Sequence, residues 1–264
     1  MKKHLVFVML LVLTVSLLAG CSGQKNSSVL DKIKTSGKVV VGTSADYAPY
    51  EYVDEAGKFT GFDIELMTEI ARRMGVELVW TDMPFDSLIA AVQEGKIDMS
   101  ISCFNYTEER DAQVDFSEAY YTSEDAFLVT DAFAGTITDP LEVAKYKIGV
   151  QSGTVQDDWV TTELVGAGLM PESQLSRYER VDQASLDLKS GRIDVLVADS
   201  VPAKAIMQQQ TGLKIVYEGM LYTGPINIVL PNGDTALQTE VNKIIKALQD
   251  EGFIDALAEK YFSE

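Results

Sequence analysis

The chain is almost without histidine. Its one histidine, His4, stands in the first few residues, and of its two cysteines only Cys103 lies in the body of the sequence. Metal centres built on His or Cys, and Ser-His or Cys-His nucleophilic catalysis, are excluded for that body because the parts are missing. Basic residues are scarce too. The 22 Lys and Arg stand against 40 Asp and Glu, a formal charge of −18, which argues against nucleic acid or anionic lipid as a partner. No Asp/Asn loop has the spacing of an EF-hand calcium site, so neither metal nor cofactor is expected.

What is present begins with Lys2 and Lys3, followed by an apolar run from Leu5 to Leu13 and on to Ala19. A basic end, a hydrophobic centre and small residues before a break read as a signal peptide over residues 1–20. The run is shorter than the ~20 residues a helix needs to cross a bilayer. Removing it takes Lys2 and Lys3 and no acid, so the formal charge moves from −18 to −20. Leu18-Ala19-Gly20-Cys21 resembles the lipobox of bacterial lipoproteins, which implies lipidation at Cys21; ordinary cleavage beside an incidental cysteine is the alternative. The polar stretch Ser22–Ser28 reads as a flexible tether, and residues 21–37 as lipidated cysteine plus tether. With Cys21 taken by lipid, Cys103 has no partner and no disulfide is expected.

From residue 38 onward, strand and helix patterns alternate, which predicts an α/β fold. Val39–Gly42 reads as a strand running into the loop Thr43–Tyr50, the kind of position where open α/β sheets place ligands. After Gly61, Asp63 reads as the cap of a helix with Leu66, Met67, Ile70, Ala71 and Met74 on one face, stopped by Gly75. A second helix spans Asp86–Glu94. Later strands are expected at Asp125–Thr130, Lys147–Val150, Ile193–Ala198, Leu213–Tyr217 and Ile226–Leu230, with helices between them and two closing the chain. The loop Gln151-Ser152-Gly153-Thr154 opens a helix, and its backbone N–H groups fit either an anion site or an ordinary tight turn.

The stretch Ile101–Tyr121, ISCFNYTEERDAQVDFSEAYY, is the most informative. A strand, Ile97–Ile101, is expected to break into Ser102, Cys103 and Asn105, and Thr107 then caps a short helix with Glu108 and Glu109 in its first turn. Arg110 sits where the helix dipole favours an acid, so the helix itself gains nothing from the cation. Its planar fork suits a carboxylate held by two parallel hydrogen bonds; spacing alone equally fits a surface arginine paired with Glu109 or Asp111.

This segment resembles the signature of the extracytoplasmic solute-binding proteins, family 3, that feed polar amino acids to ABC transporters. The resemblance continues through GFDIELMTEIARRMG (Gly61–Gly75), FDSLIAAVQEGKIDMSIS (Phe85–Ser102), GVQSGT (Gly149–Thr154) and SGRIDVLVADS (Ser190–Ser200). It implies a two-lobed periplasmic-binding-protein-like (type II) α/β fold with the second lobe inserted into the first. Lobe one is then residues 38–128 and 225–264, and lobe two residues 129–224. The two-strand hinge falls near Phe127–Thr130 and Met220–Gly224, with closure about it on binding. By the same resemblance the ligand α-carboxylate meets Arg110, the backbone N–H at Asn105, and Thr154. The α-ammonium meets Asp199 and the carbonyl of Cys103, and Tyr47 and Phe85 enclose the side chain. Ser44 and Gln151 face its distal end.

The chain departs from the family at Cys103, usually glycine or serine, at Asn105, usually threonine or serine, and at Ser44, where many members carry aspartate. Whether Asp46 or Glu51 restores an anion to the cleft separates a basic ligand from a neutral polar one, and neutral polar is the expectation. The partners implied are a polar amino acid, a membrane permease and, through Cys21, the membrane; the protein is expected to be an extracytoplasmic monomer and not an enzyme. Two other classes share the fold. Cyclohexadienyl dehydratases would need a cleft acid such as Glu51 or Asp46 with a raised pKa. Sensory modules precede kinases or channels, and no such domain is fused within the 264 residues.

Overall fold

The computed structural model describes residues 28–263; the expected signal peptide and Cys21 lie outside the described residues. The principal strands are β1 (Lys38–Thr43), β2 (Glu77–Asp82), β3 (Met99–Asn105), β4 (Asp125–Thr130), β5 (Ile148–Gln151), β6 (Leu175–Tyr178), β7 (Val195–Asp199), β8 (Leu213–Gly219) and β9 (Pro225–Leu230). The helices are α1 (Val29–Ser36), α2 (Phe62–Met74), α3 (Leu88–Gln93), α4 (Glu108–Asp111), α5 (Val155–Trp159), α6 (Val181–Ser190), α7 (Ser200–Gln209), α8 (Thr235–Asp250) and α9 (Phe253–Phe262).

Two sheets of matching design make two lobes. In the first the order is β2-β1-β3-β9, with the first three parallel and β9 antiparallel to β3. In the second it is β6-β5-β7-β4-β8, again with three parallel strands, then β4 antiparallel to β7 and β8 antiparallel to β4. Short pairings of Asp115–Phe116 and Tyr121–Thr122 extend β9. Because β9 returns to the first sheet after β8, lobe two is an insertion in lobe one.

The first crossing differs from the expectation. Asp125–Leu128 pair with β7 and β8 of the second sheet, so the chain crosses at Ser123–Glu124 and not at Phe127–Thr130. The run DAFLVT is buried almost throughout, and only a strand covered on both faces keeps that many apolar residues dry. β3 also runs further than its sequence indicated. It continues through the polar residues to Asn105 because Phe104 and Asn105 pair with Asn227 and Ile226 of β9.

Helix α2 shows why the lobe-one face packs as it does. Leu66, Met67, Ile70 and Met74 fall at helical spacing and are buried with Val39, Val41, Met99 and Ile101 of the sheet, each worth roughly 1.5–3 kcal/mol in transfer free energy. Gly75 ends the helix in the left-handed conformation at φ 73°. Its start is not capped by Asp63. Gly61 is the cap residue, at φ 126°, where an added Cβ would lie 2.2 Å from the Tyr50 carbonyl oxygen. Only glycine fits there, and the close approach carries Asp63 inward, beneath the loop that holds Tyr50 and Glu51.

Candidate functional site

The loop after β1, the polar end of β3, the turn after β5 and the end of β7 meet between the lobes. They enclose a small, closed-down cavity. Ser44, Tyr47, Phe85, Cys103, Asn105, Gln151, Thr154 and Asp199 all line it. Arg110 does not form its wall but lies behind Asn105. Sequence reasoning did not place Ser102, Val155 and Gln156 in the wall, although they are there, and Glu51 joins them.

Thr107 caps α4 as expected, accepting from the Arg110 backbone N–H at 3.1 Å. The guanidinium is buried beside the rings of Phe85 and Phe104, which stack on each other with centroids 4.4 Å apart, and lies 5.7 and 5.8 Å from those centroids. Its Nη1 donates to the Asn105 carbonyl at 2.8 Å and its Nη2 crosses the cleft to the Gly153 carbonyl at 2.7 Å. Neither Glu109 nor Asp111 takes a salt bridge from it. Arg110 is the only basic side chain among the buried residues described, and burial pulls its pKa below the usual arginine range. Two of its five N–H groups are spent on carbonyls, which leaves donors for an anion.

The Asn105 side chain is engaged away from the pocket. Its side-chain amide donates to the Thr223 carbonyl at 3.0 Å and the Pro225 carbonyl at 3.4 Å, in the second crossing. The Thr154 hydroxyl caps α5, accepting from Asp157 N–H at 3.2 Å and donating to the Gln151 carbonyl at 2.8 Å. Gly153, at φ 74°, lies against lobe one closely enough that an added Cβ would stand 3.0 Å from Asp86 Cβ.

On lobe two, Asp199 closes β7. The Tyr47 hydroxyl donates to Asp199 Oδ2 at 2.7 Å and accepts from Asp199 N–H at 2.9 Å. Gln156 Nε2 reaches Asp199 Oδ2 at 3.3 Å and Asp125 Oδ1 at 2.7 Å, while Asp125 Oδ2 accepts from Leu221 N–H at 2.8 Å. Burial raises Asp199, with the Tyr47, Ser123 and Gln156 hydrogen bonds opposing. Burial and then the Asp199 charge lift Asp125 to about 7. An acid at the head of an apolar strand, as in Asp125-Ala126-Phe127-Leu128, was the available signal for this network.

A second acidic pair lies behind Cys103. Glu51 Oε1 accepts from Ser102 Oγ at 2.7 Å, and Asp63 Oδ2 accepts from Cys103 N–H at 2.9 Å and the Tyr120 hydroxyl at 2.8 Å. Glu51 Oε2 and Asp63 Oδ1 are buried with no hydrogen-bond donor of their own. Burial, and then the neighbouring Asp63 charge, push Glu51 far above the carboxylate range, and burial lifts Asp63 to about 7. Burial and mutual repulsion both disfavour ionising the two carboxyl groups together. Cys103 itself has φ 49°, the only non-glycine residue at positive φ among those described. Burial pushes its thiol well up, so it stays protonated and fills space.

Ser44 Oγ does not point to the distal end alone; it donates to Asp46 Oδ1 at 2.7 Å. Asp46 is off the cavity wall, at the seam between the lobes, where its Oδ2 accepts from Val181 N–H at 2.6 Å and from Gln151 Nε2 at 3.4 Å. Gln151 Nε2 also donates to the Glu179 carbonyl at 3.2 Å.

The bacterial extracellular solute-binding proteins, family 3, match this chain over residues 39–264. The chain belongs to that family. A probable histidine-binding protein of Campylobacter jejuni is 31% identical over 263 residues, covering 99% of each chain. An ancestral arginine-binding protein solved with arginine is 34% identical at a TM-score of 0.80, covering 86% of this chain and 99% of its own. The same description with glutamine bound gives 35% identity and a TM-score of 0.78, covering 86% and 99%. Family membership puts the solute-binding protein outside the cytoplasm and agrees with the two-lobed α/β fold.

Proposed function

We propose that this solute-binding protein captures a polar α-amino acid between its lobes and hands it to an ABC transporter permease while held to the membrane through lipidated Cys21. The observation that carries the reading is that lobe one holds a buried cation, Arg110, behind the cavity wall while lobe two puts the buried carboxylate of Asp199 into that wall, beside Tyr47 and Phe85. A zwitterion complements both charges at once, and only when the lobes are together. Its carboxylate takes the free N–H groups of Arg110 and the backbone around Asn105 and Thr154. Its ammonium displaces the Tyr47 hydroxyl at Asp199 and reaches the Cys103 carbonyl.

The side chain runs toward Glu51, Ser102 and Gln151 and ends in N–H donors. A cationic end is favoured over the neutral one first expected, because Glu51 and Asp63 are buried carboxyl groups that no basic side chain pairs with. The ligand leaves unchanged. Asp46 is committed to hydrogen bonds with Val181, Gln151 and Ser44 and lies off the cavity wall, so it is not a free general acid. A thermal-shift screen with the twenty amino acids tests the reading, since a ligand bound only by the folded state raises its stability by mass action. Arginine and then glutamine are expected to stabilise most. No shift with any amino acid, or turnover of arogenate or prephenate, would overturn it.

A further inference from the structure

Helix α6 of lobe two has no cap of its own. Its cap position is Arg180, which supplies no side-chain acceptor, although a Ser, Thr, Asp or Asn there normally satisfies an exposed helical N–H. The acceptor comes from the other lobe, 135 residues earlier in the chain: Asp46 Oδ2 takes the Val181 N–H at 2.6 Å. The same carboxylate collects Gln151 Nε2 at 3.4 Å and stands 3.9 Å from Arg180 Nη2. On its own side it is held by the Ser44 hydroxyl at 2.7 Å. Arg180 also reaches Asp82 Oδ2 of lobe one at 3.4 Å, and Asp82 Oδ1 in turn accepts from Ala45 N–H at 2.9 Å, beside Asp46. The Asp46 side chain is 1% exposed.

We propose that Asp46 is the latch of the cleft: by capping α6 across the lobe boundary it sets the population of the closed form without touching the ligand. A helix N-terminus carries partial positive charge, so an aspartate brought against it gains both a hydrogen bond and a favourable field. Val181, Gln151 and Arg180 all belong to lobe two, and when the lobes part the carboxylate keeps only Ser44. The energy of the cap therefore counts toward closure and is indifferent to which side chain the ligand carries.

The test uses the full chain with spin labels on exposed positions of the two lobes, and compares wild type with Asp46→Ala and the milder Asp46→Asn. The ligand-free distance distribution is expected to move toward the open form, more in Asp46→Ala than in Asp46→Asn. Dissociation of arginine and of glutamine is expected to speed up by one common factor, roughly tenfold, the scale of one lost cap with its ion pair. An unchanged distance distribution in the folded Asp46→Ala variant overturns the latch. A loss confined to arginine overturns it too, since Asp46 would then be the partner of a ligand cation. The choice of these two probes rests on the amino-acid reading. Should neither bind wild type, that reading fails, while the distance measurement still decides the latch.

Discussion

Arg110→Ala is the sharpest perturbation of the proposed site. The guanidinium makes two charged hydrogen bonds to carbonyls, one inside lobe one at 2.8 Å and one across to Gly153 at 2.7 Å. Only the second is lost when the cleft opens, and a bond of that kind is worth about 1.5–3 kcal/mol. A bidentate grip on the ligand carboxylate adds a similar amount or more. Together they come to about 4–6 kcal/mol, or three to four orders of magnitude in affinity. Stability of the ligand-free protein should move much less, because deleting a buried cation also removes its desolvation cost. Titration calorimetry reads the affinity, and circular dichroism confirms that the variant is folded. A folded variant binding within tenfold of wild type would mean that the carboxylate is held elsewhere.

Asp199→Asn should weaken amino-acid binding at least a hundredfold by calorimetry while shifting the melting temperature little, since the Asp199 side chain makes no cap bond to α7; equal affinity would break the zwitterion argument. Gly153→Ala should lower affinity more than it lowers the stability of the open form, because its methyl meets Asp86 only on closure; equal affinity in the folded variant would show that the lobes do not approach that closely when the ligand is bound. Glu51→Gln tests the acidic pair through pH. Glu51 and Asp63 have folded pKa values raised above their ordinary 4.5 and 3.8, Asp63 to about 7. The folded state therefore binds the extra proton, and its stability is fully present below those ordinary values and falls as pH rises toward 7. An amide in place of Glu51 carries no charge to repel Asp63, so melting temperatures measured from pH 4 to 8 should show the variant gaining on wild type as pH rises; a difference independent of pH would contradict the pair.

Much of this was legible locally. Thr107, Glu108, Glu109 and Arg110 are neighbours, so the cap and the misplaced cation could be read together, and the apolar face of α2 follows from its period alone. What escaped depends on partners far apart in the chain. Asp63 looks like a helix cap until the Gly61 turn brings it against Tyr50 and the Cys103 N–H, 40 residues away. Asp46 has no local partner beyond Ser44, and its role appears only when α6 arrives from the other lobe. The Asn105 side chain has its partners in the second crossing, 118 and 120 residues away, so its contacts could not be read locally. The first crossing was placed late because an apolar strand reads the same in either sheet.

The central claim is that one ligand carboxylate answers to Arg110. It is tested most directly by a cycle in which the best ligand from the amino-acid screen and its carboxamide, which lacks that negative charge, are each titrated into wild type and Arg110→Ala. Wild type should prefer the acid by a hundredfold or more, and Arg110→Ala should bind acid and amide almost equally. The same preference in both proteins would contradict the account.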